Sequence, residues 1–296
     1  MTKPTLLAIA GAGHEYDPPV SSGPSDQELP AWSLDRETAR DQVQPSVWPL
    51  GDAREWALSG STGAGVRVCI VDSGVQADHP RVGGVAEAVV VSETDAGELT
   101  VTADHDGDAY GHGTACAAII RGLAPDCRLH SVRVLGGELT GTGRMLLHGL
   151  RWAIDQHFEV INLSLSTTKS RFVPELHELS DRAYFRGSLV VASAHNMPVE
   201  SFPWRFPAVL SVGSHAGHDH LEYYANPDPP VEFAAPGVDL ELAWLDGGTI
   251  RATGNSFATP YMAGLAALVL AKHPGLRPFE VKTALRCASS NVRSAV

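Results

Sequence analysis

The stretch VRVCIVDSGV, residues 66–75, decides how the rest of the chain is read. Val66 to Val71 is an apolar run rich in β-branched residues, of the length of a buried strand, and it delivers Asp72 into a Ser73-Gly74 turn. Working outward, LHSVRV (129–134), VINLSL (160–165), SLVVAS (188–193) and AVLSVG (208–213) are further runs of the same kind. Between them lie segments with helical spacing: Gly143 to His157, with Met145, Leu146, Leu150, Trp152 and Ala153 on one face, Leu176 to Phe185, and Ser256 to His273. Strand and helix alternating in this way predict an α/β fold of three layers, a mostly parallel central sheet with helices on both faces. Functional residues of such sheets gather at the carboxyl ends of strands, where Asp72 and Asn196 fall. No internal repeat or low-complexity block interrupts the pattern.

Composition narrows the function. The chain has 296 residues, 44% of them hydrophobic, enough to bury one sizeable core. Lys and Arg number 22 against 34 Asp and Glu, a net charge of -12 that repels phosphate backbones and anionic membrane surfaces. Neither nucleic acid nor membrane is an expected partner. The apolar run Leu6 to Ala10 is shorter than a secretory h-region of about 7–15 residues or a membrane span of about 20, so a cytoplasmic location is expected, with secretion as the alternative. Cys69, Cys116, Cys127 and Cys287 show no C-x-x-C spacing and read as free thiols acting as small hydrophobes. Residues 1–35, rich in Pro, Ser and Gly, read as an arm or linker.

Four local segments carry chemistry. VDSGV (71–75) places Asp72 at a strand end, where its carboxylate can accept from an imidazole Nδ1 or, equally, cap a helix or hold a metal. GHGTACAAI (111–119) sets His112 between glycines at the start of an apolar helix. GNSFATPYMAGLAALVLA (254–271) sets Ser256 at the start of a long apolar helix, as nucleophile or simple N-cap. VVASAHN (190–196) ends a buried strand on Asn196, whose amide can donate to an oxyanion. Together these are the parts that acyl transfer needs.

In their order, Asp then His then Ser, the segments resemble the subtilisin-like serine protease (subtilase) family. The likeness extends to VRVLGGELTGTGRMLLHGLRWAI (132–154), VINLSL, FPWRFPAVLSVGS (202–214) and VEFAAPGV (231–238), covering roughly residues 50–290. It implies a peptidase domain over residues 36–296 in which Asp72 orients, His112 is base then acid, Ser256 attacks, and Asn196 with the Ser256 N–H holds the oxyanion. It implies a peptide or protein substrate bound as an added β-strand, between an edge from Leu135 to Gly143 (Leu135, Gly136, Gly141, Gly143) and another at Ser164, Leu165 and Ser166. No cofactor is required. The DHDGD run, with Asp104, Asp106 and Asp108 at alternate positions, is the one segment that resembles a calcium loop; it lacks the closing glutamate and reads as a solvated acidic loop. His215, His218 and His220 lie in an apparent polar loop with no element to fix metal-ligand spacing.

The sequence departs from the family pattern at telling places. His195-Asn196 stands where Gly-Asn is usual, and Ser164-Leu165-Ser166 where Ser-Leu-Gly is usual. Both changes add side chain beside the primary specificity pocket, so small or unusual residues before the scissile bond are expected. The stretch from Asn196 to Pro203 is short, and Asn255 replaces the usual Thr before the serine. The roughly 50 residues before the domain look too short and irregular for a folding prosegment, which suggests a processing enzyme acting on a dedicated precursor. The rival readings are a homologue that binds peptides without cutting, which retention of Asp72, His112, Ser256 and Asn196 disfavours, and an α/β-hydrolase esterase. The latter places its serine in G-x-S-x-G, and here Ala258 stands at the second Gly. The oligomeric state is not written in the sequence.

Overall fold

The computed structural model describes residues 52–228 and 230–292. The expected boundary between residues 35 and 36 lies outside these. Strand β1 (Arg67–Asp72) is buried along nearly its whole length, as a run with no polar alternation must be. Its neighbours are β4 (Arg128–Arg133) and β5 (Val160–Leu163), both parallel to it. Beyond β4 come β2 (Glu87–Glu93) and the antiparallel edge β3 (Leu99–Ala103). Beyond β5 come β6 (Leu189–Ser193), β7 (Leu210–His215), β9 (Phe233–Pro236) and the short antiparallel β8 (Tyr224–Ala225). The order β3-β2-β4-β1-β5-β6-β7-β9-β8 makes one mostly parallel sheet with antiparallel strands only at its rims, as expected. A separate hairpin pairs β10 (Leu240–Ala243) with β11 (Thr249–Ala252).

Helices cover both faces. On one, α3 (Gly143–Asp155) and α4 (Val173–Arg186) send Leu146, Leu150, Ile154, Leu176, Leu179 and Ala183 into a cluster with Cys69, Val71, Ile161, Leu163, Val190 and Ala192 from the sheet. Helix α4 begins three residues before the expected Leu176, because Pro174 fits a first helical turn, where no N–H is needed. The other face carries α2 (His112–Leu123) packed on α5 (Asn255–Lys272). Helix α5 is buried from Phe257 to Leu270, which explains why it is apolar all round: α2, the sheet, α1 (Ala53–Leu58) and α6 (Pro278–Cys287) leave it no wet side. Among the described residues no helix is long and apolar enough to cross a membrane.

Candidate active site

Three chain segments meet at the carboxyl end of β1. Asp72 is the last residue of that strand and is fully buried. Its Oδ1 accepts from the N–H of Ser73 at 2.8 Å and faces His112 Nδ1 at 2.8 Å, with Oδ2 at 3.0 Å from the same nitrogen. The far side of the ring, Nε2, lies 2.9 Å from Ser256 Oγ. Residues separated by 40 and by 144 positions thus form one continuous line of contact. With a carboxylate on Nδ1, the neutral ring carries its proton there and presents a bare Nε2 to the serine. Burial works against a charged imidazole, but the Asp72 carboxylate outweighs it and holds His112 well above its ordinary value of 6.5.

His112 is placed by a close approach of backbones. A Cβ on Gly113 would lie 1.9 Å from the carbonyl oxygen of Gly74, so only glycine lets the first turn of α2 reach the loop after β1. The orphan N–H groups of that turn are met from outside the helix. Ser73 Oγ accepts from Gly113 N, and Asp108 Oδ2 accepts from both Thr114 N and Thr114 Oγ1. Asp108 Oδ1 takes Ser73 Oγ, Tyr110 N and Gly111 N. One carboxylate therefore ties the residue after Asp72 to the residues on either side of His112.

This corrects the reading of DHDGD as a solvated loop at two of its three acids. The Asp104 side chain is 1% exposed and binds Arg133, the Asp106 side chain is 82% exposed and reaches the same Arg133, and Asp108 turns away beneath α2. Arginine and helix N–H groups consume the acids, and the three do not converge as a calcium cage would require. The capping role of Asp108 had a signal in the sequence, an Asp three residues ahead of a helix's N-cap Gly111, but the alternating acids hid it. The polar-loop reading of the histidines also needs correction at one position. His215 ends strand β7, with its Nε2 against Glu222 O, and His220 stacks on Tyr261. The one group of metal-type ligands that converges among the described residues is Asp72, His112 and Cys116.

Ser256 sits in the first turn of α5, where no preceding helical carbonyl claims its N–H. Asn196, beyond the end of β6, presents its amide to the same space. A Cβ on Gly254 would stand 3.3 Å from Ser256 Oγ and 3.5 Å from Asn196 Nδ2, so the absence of a side chain at Gly254 leaves room between the hydroxyl and the amide donor. Cys116, buried one turn into α2, contributes beneath the site: its thiol lies 3.5 Å from Ser164 Oγ and 3.8 Å from Ser256 O.

Of the expected substrate edges, Ser164 is buried and bonded to Asn162, while Leu165 and Ser166 are half-buried at the rim. The edge from Leu135 to Gly143 is not a continuous strand. Hydrogen bonds from Gly136 N to Thr140 O and from Leu139 N to Gly136 O turn it back on itself, leaving Gly141 and Gly143 on the outgoing limb. Each of those glycines is packed too tightly for a side chain, Gly141 against Val134 O and Gly143 against the ring of Phe172. The His195 ring is half-buried and held by Met197 N at 3.0 Å.

Comparison with known proteins decides the family. The subtilase family model matches residues 63–295. The chain belongs to the subtilase family. Subtilisin DY of Bacillus licheniformis is 29% identical over 266 residues, which span 85% of this chain and 93% of that protein. Subtilisin E of Bacillus subtilis (strain 168) is 30% identical over 273 residues, 85% of this chain and 68% of that protein. Among solved structures, a cold adapted subtilisin-like serine proteinase superposes with a TM-score of 0.64 at 29% identity, covering 80% of this chain and 88% of that one. Sphericase superposes with a TM-score of 0.65 at 24% identity over 76% of this chain and 84% of its own, a likeness of fold. This subtilase is a subtilisin-like serine endopeptidase with the three-layer α/β architecture of its relatives.

Proposed function

We propose that the enzyme hydrolyses peptide bonds through an acyl-enzyme on Ser256, with His112 as general base and acid and Asp72 as its orienting carboxylate. The line of contacts from Asp72 through His112 Nδ1 and Nε2 to Ser256 Oγ at 2.9 Å carries this reading. Ser256 Oγ bonds to the scissile carbonyl carbon as its proton moves to Nε2, and the carbonyl electron pair becomes an oxyanion. Asn196 Nδ2 and the Ser256 N–H donate to that oxyanion. Its collapse breaks the C–N bond, and Nε2 returns the proton to the leaving amine. Water then repeats the sequence against the ester. One oxyanion donor is worth about 10²–10³ in rate.

The substrate is a peptide laid as an extended strand between the limb at Gly141 to Gly143 and the rim at Ser164 to Ser166. Main-chain pairing supplies affinity with little demand on sequence. Selectivity comes from the position before the scissile bond, where the side chains of Ser166 and His195 favour small residues. That restriction supports a processing role, cleavage of a dedicated precursor, most simply in the cytoplasm. A peptide library that showed cleavage mainly after Phe, Tyr or Leu would refute the pocket assignment.

The deciding experiment is labelling by a fluorophosphonate probe, with Ser256→Ala alongside. Labelling that disappears in the variant establishes an activated Ser256. Absence of labelling in the folded wild type would instead favour a homologue that binds peptides without cutting them.

A further inference from the structure

The residue before the nucleophile has more contacts than its place as a simple polar substitution explains. Asn255 opens α5, and its side chain reaches across to two strand ends. Its Oδ1 accepts from Ser214 N at 2.9 Å and from Ser214 Oγ at the end of β7. Its Nδ2 donates to Ala194 O at 3.2 Å and His195 O at 3.3 Å, the two residues that follow β6 and precede Asn196. Its main-chain N–H donates to Asn196 Oδ1 at 2.9 Å.

These contacts permit one arrangement of both amides. The N–H groups of Ser214 and Asn255 only donate and the carbonyls of Ala194 and His195 only accept, so turning either amide over would set donor against donor. Asn196 Oδ1 is therefore fixed on Asn255, and Asn196 Nδ2 is the atom left on the side shared with Ser256 Oγ. A threonine at position 255 has one hydroxyl, which cannot serve Ser214 and both carbonyls together.

We propose that Asn255 is a positioning residue that sets the donor direction of Asn196 relative to Ser256. It does so by clamping the ends of β6 and β7 to the first turn of α5. The proposal rests on the reading of Asn196 as an oxyanion donor. Because the clamp acts where charge develops in the transition state, its loss lowers kcat and leaves KM nearly unchanged.

The experiment is a double-mutant cycle with Asn196→Ala, Asn255→Ala and the pair, measured as kcat and KM on a peptide substrate, with thermal unfolding of each variant alongside. Asn196→Ala is expected to lower kcat about 10²–10³-fold. Asn255→Ala is expected to lower it roughly 10-fold to 10²-fold, a misplacement rather than a deletion. In the Asn196→Ala background the second substitution should cost almost nothing, because it acts through the group already removed. Asn255→Thr should recover part of the loss, and Ser214→Ala, which removes one clamp bond and serves if Asn255→Ala does not fold, should show a smaller loss with the same dependence on Asn196. Fully multiplicative losses, or a change confined to KM, would overturn the positioning role. An unchanged kcat in Asn196→Ala would instead overturn the oxyanion reading.

Discussion

Cys116 Sγ lies 3.8 Å from the carbonyl oxygen of Ser256, the oxygen that would accept from residue 260 if that residue were not Pro260. A proline four residues on removes a helical donor, and here a thiol from the neighbouring helix, which also faces Ser164 Oγ at 3.5 Å, lies within reach of that carbonyl. Burial raises the Cys116 thiol above its ordinary value, so it stays protonated and able to donate. Cys116→Ala should destabilise the fold by about 1–3 kcal/mol through the stranded carbonyl and the small cavity, read by denaturant unfolding. Cys69 and Cys127 are also buried and raised, the latter to about 11, so of the four cysteines only the half-buried Cys287 should react quickly with a thiol reagent.

The proposed mechanism needs neutral His112, and its protonation is favoured by Asp72. The acid limb of kcat/KM should therefore lie above the ordinary imidazole value of 6.5. Asp72→Asn removes the attracting charge and should move that limb down while lowering kcat by about 10⁴. The sign for stability is opposite. The contribution of the charged pair is complete below about 6.5 and is lost as pH rises through the raised value, so activity gains where this contribution fades. Parallel pH profiles of rate and unfolding midpoint check both signs.

Asp108→Asn replaces one carboxylate oxygen with a donor facing Thr114 N and Oγ1, both of which donate now. A loss of about 2–4 kcal/mol in unfolding free energy is expected, from a charge-assisted bond broken and a buried donor left unpaired. Because Ser73 and Gly111 share the same carboxylate, the loss should be accompanied by lower kcat with modest change in KM.

In an exposed helix, Gly to Ala is favourable by about 1 kcal/mol. Gly113→Ala should have the opposite sign, because its Cβ would meet Gly74 O at 1.9 Å. Destabilisation of about 3 kcal/mol or failure to accumulate as folded protein is expected, measured by soluble yield and unfolding. Gly122 in the same helix has open space around its missing Cβ, and Gly122→Ala is the control that should not destabilise.

Periodicity made the elements legible. Runs such as Val68 to Val71 and Val160 to Leu163 have no polar alternation because both faces of the sheet are covered, and that is visible residue by residue. The positions of Asp72, His112, Ser256 and Asn196 were equally legible, since each lies at or beside the end of an element with a recognisable local pattern. Strands β2, β3 and β8 to β11 were not, because their burial is mixed toward the rims of the sheet and in the hairpin.

What the sequence by itself determined is therefore the central strands and the long helices, the chemical parts they carry and the family they resemble. Only the tertiary structure decided which of three alike acids is buried beneath α2, that Asn255 reaches two strand ends, and that a thiol lies beside the carbonyl released by Pro260. The reason is physical. Period and propensity are properties of neighbours in the chain, whereas satisfying a buried polar group depends on what folding brings beside it, at Asn255 from 41 and 61 residues away.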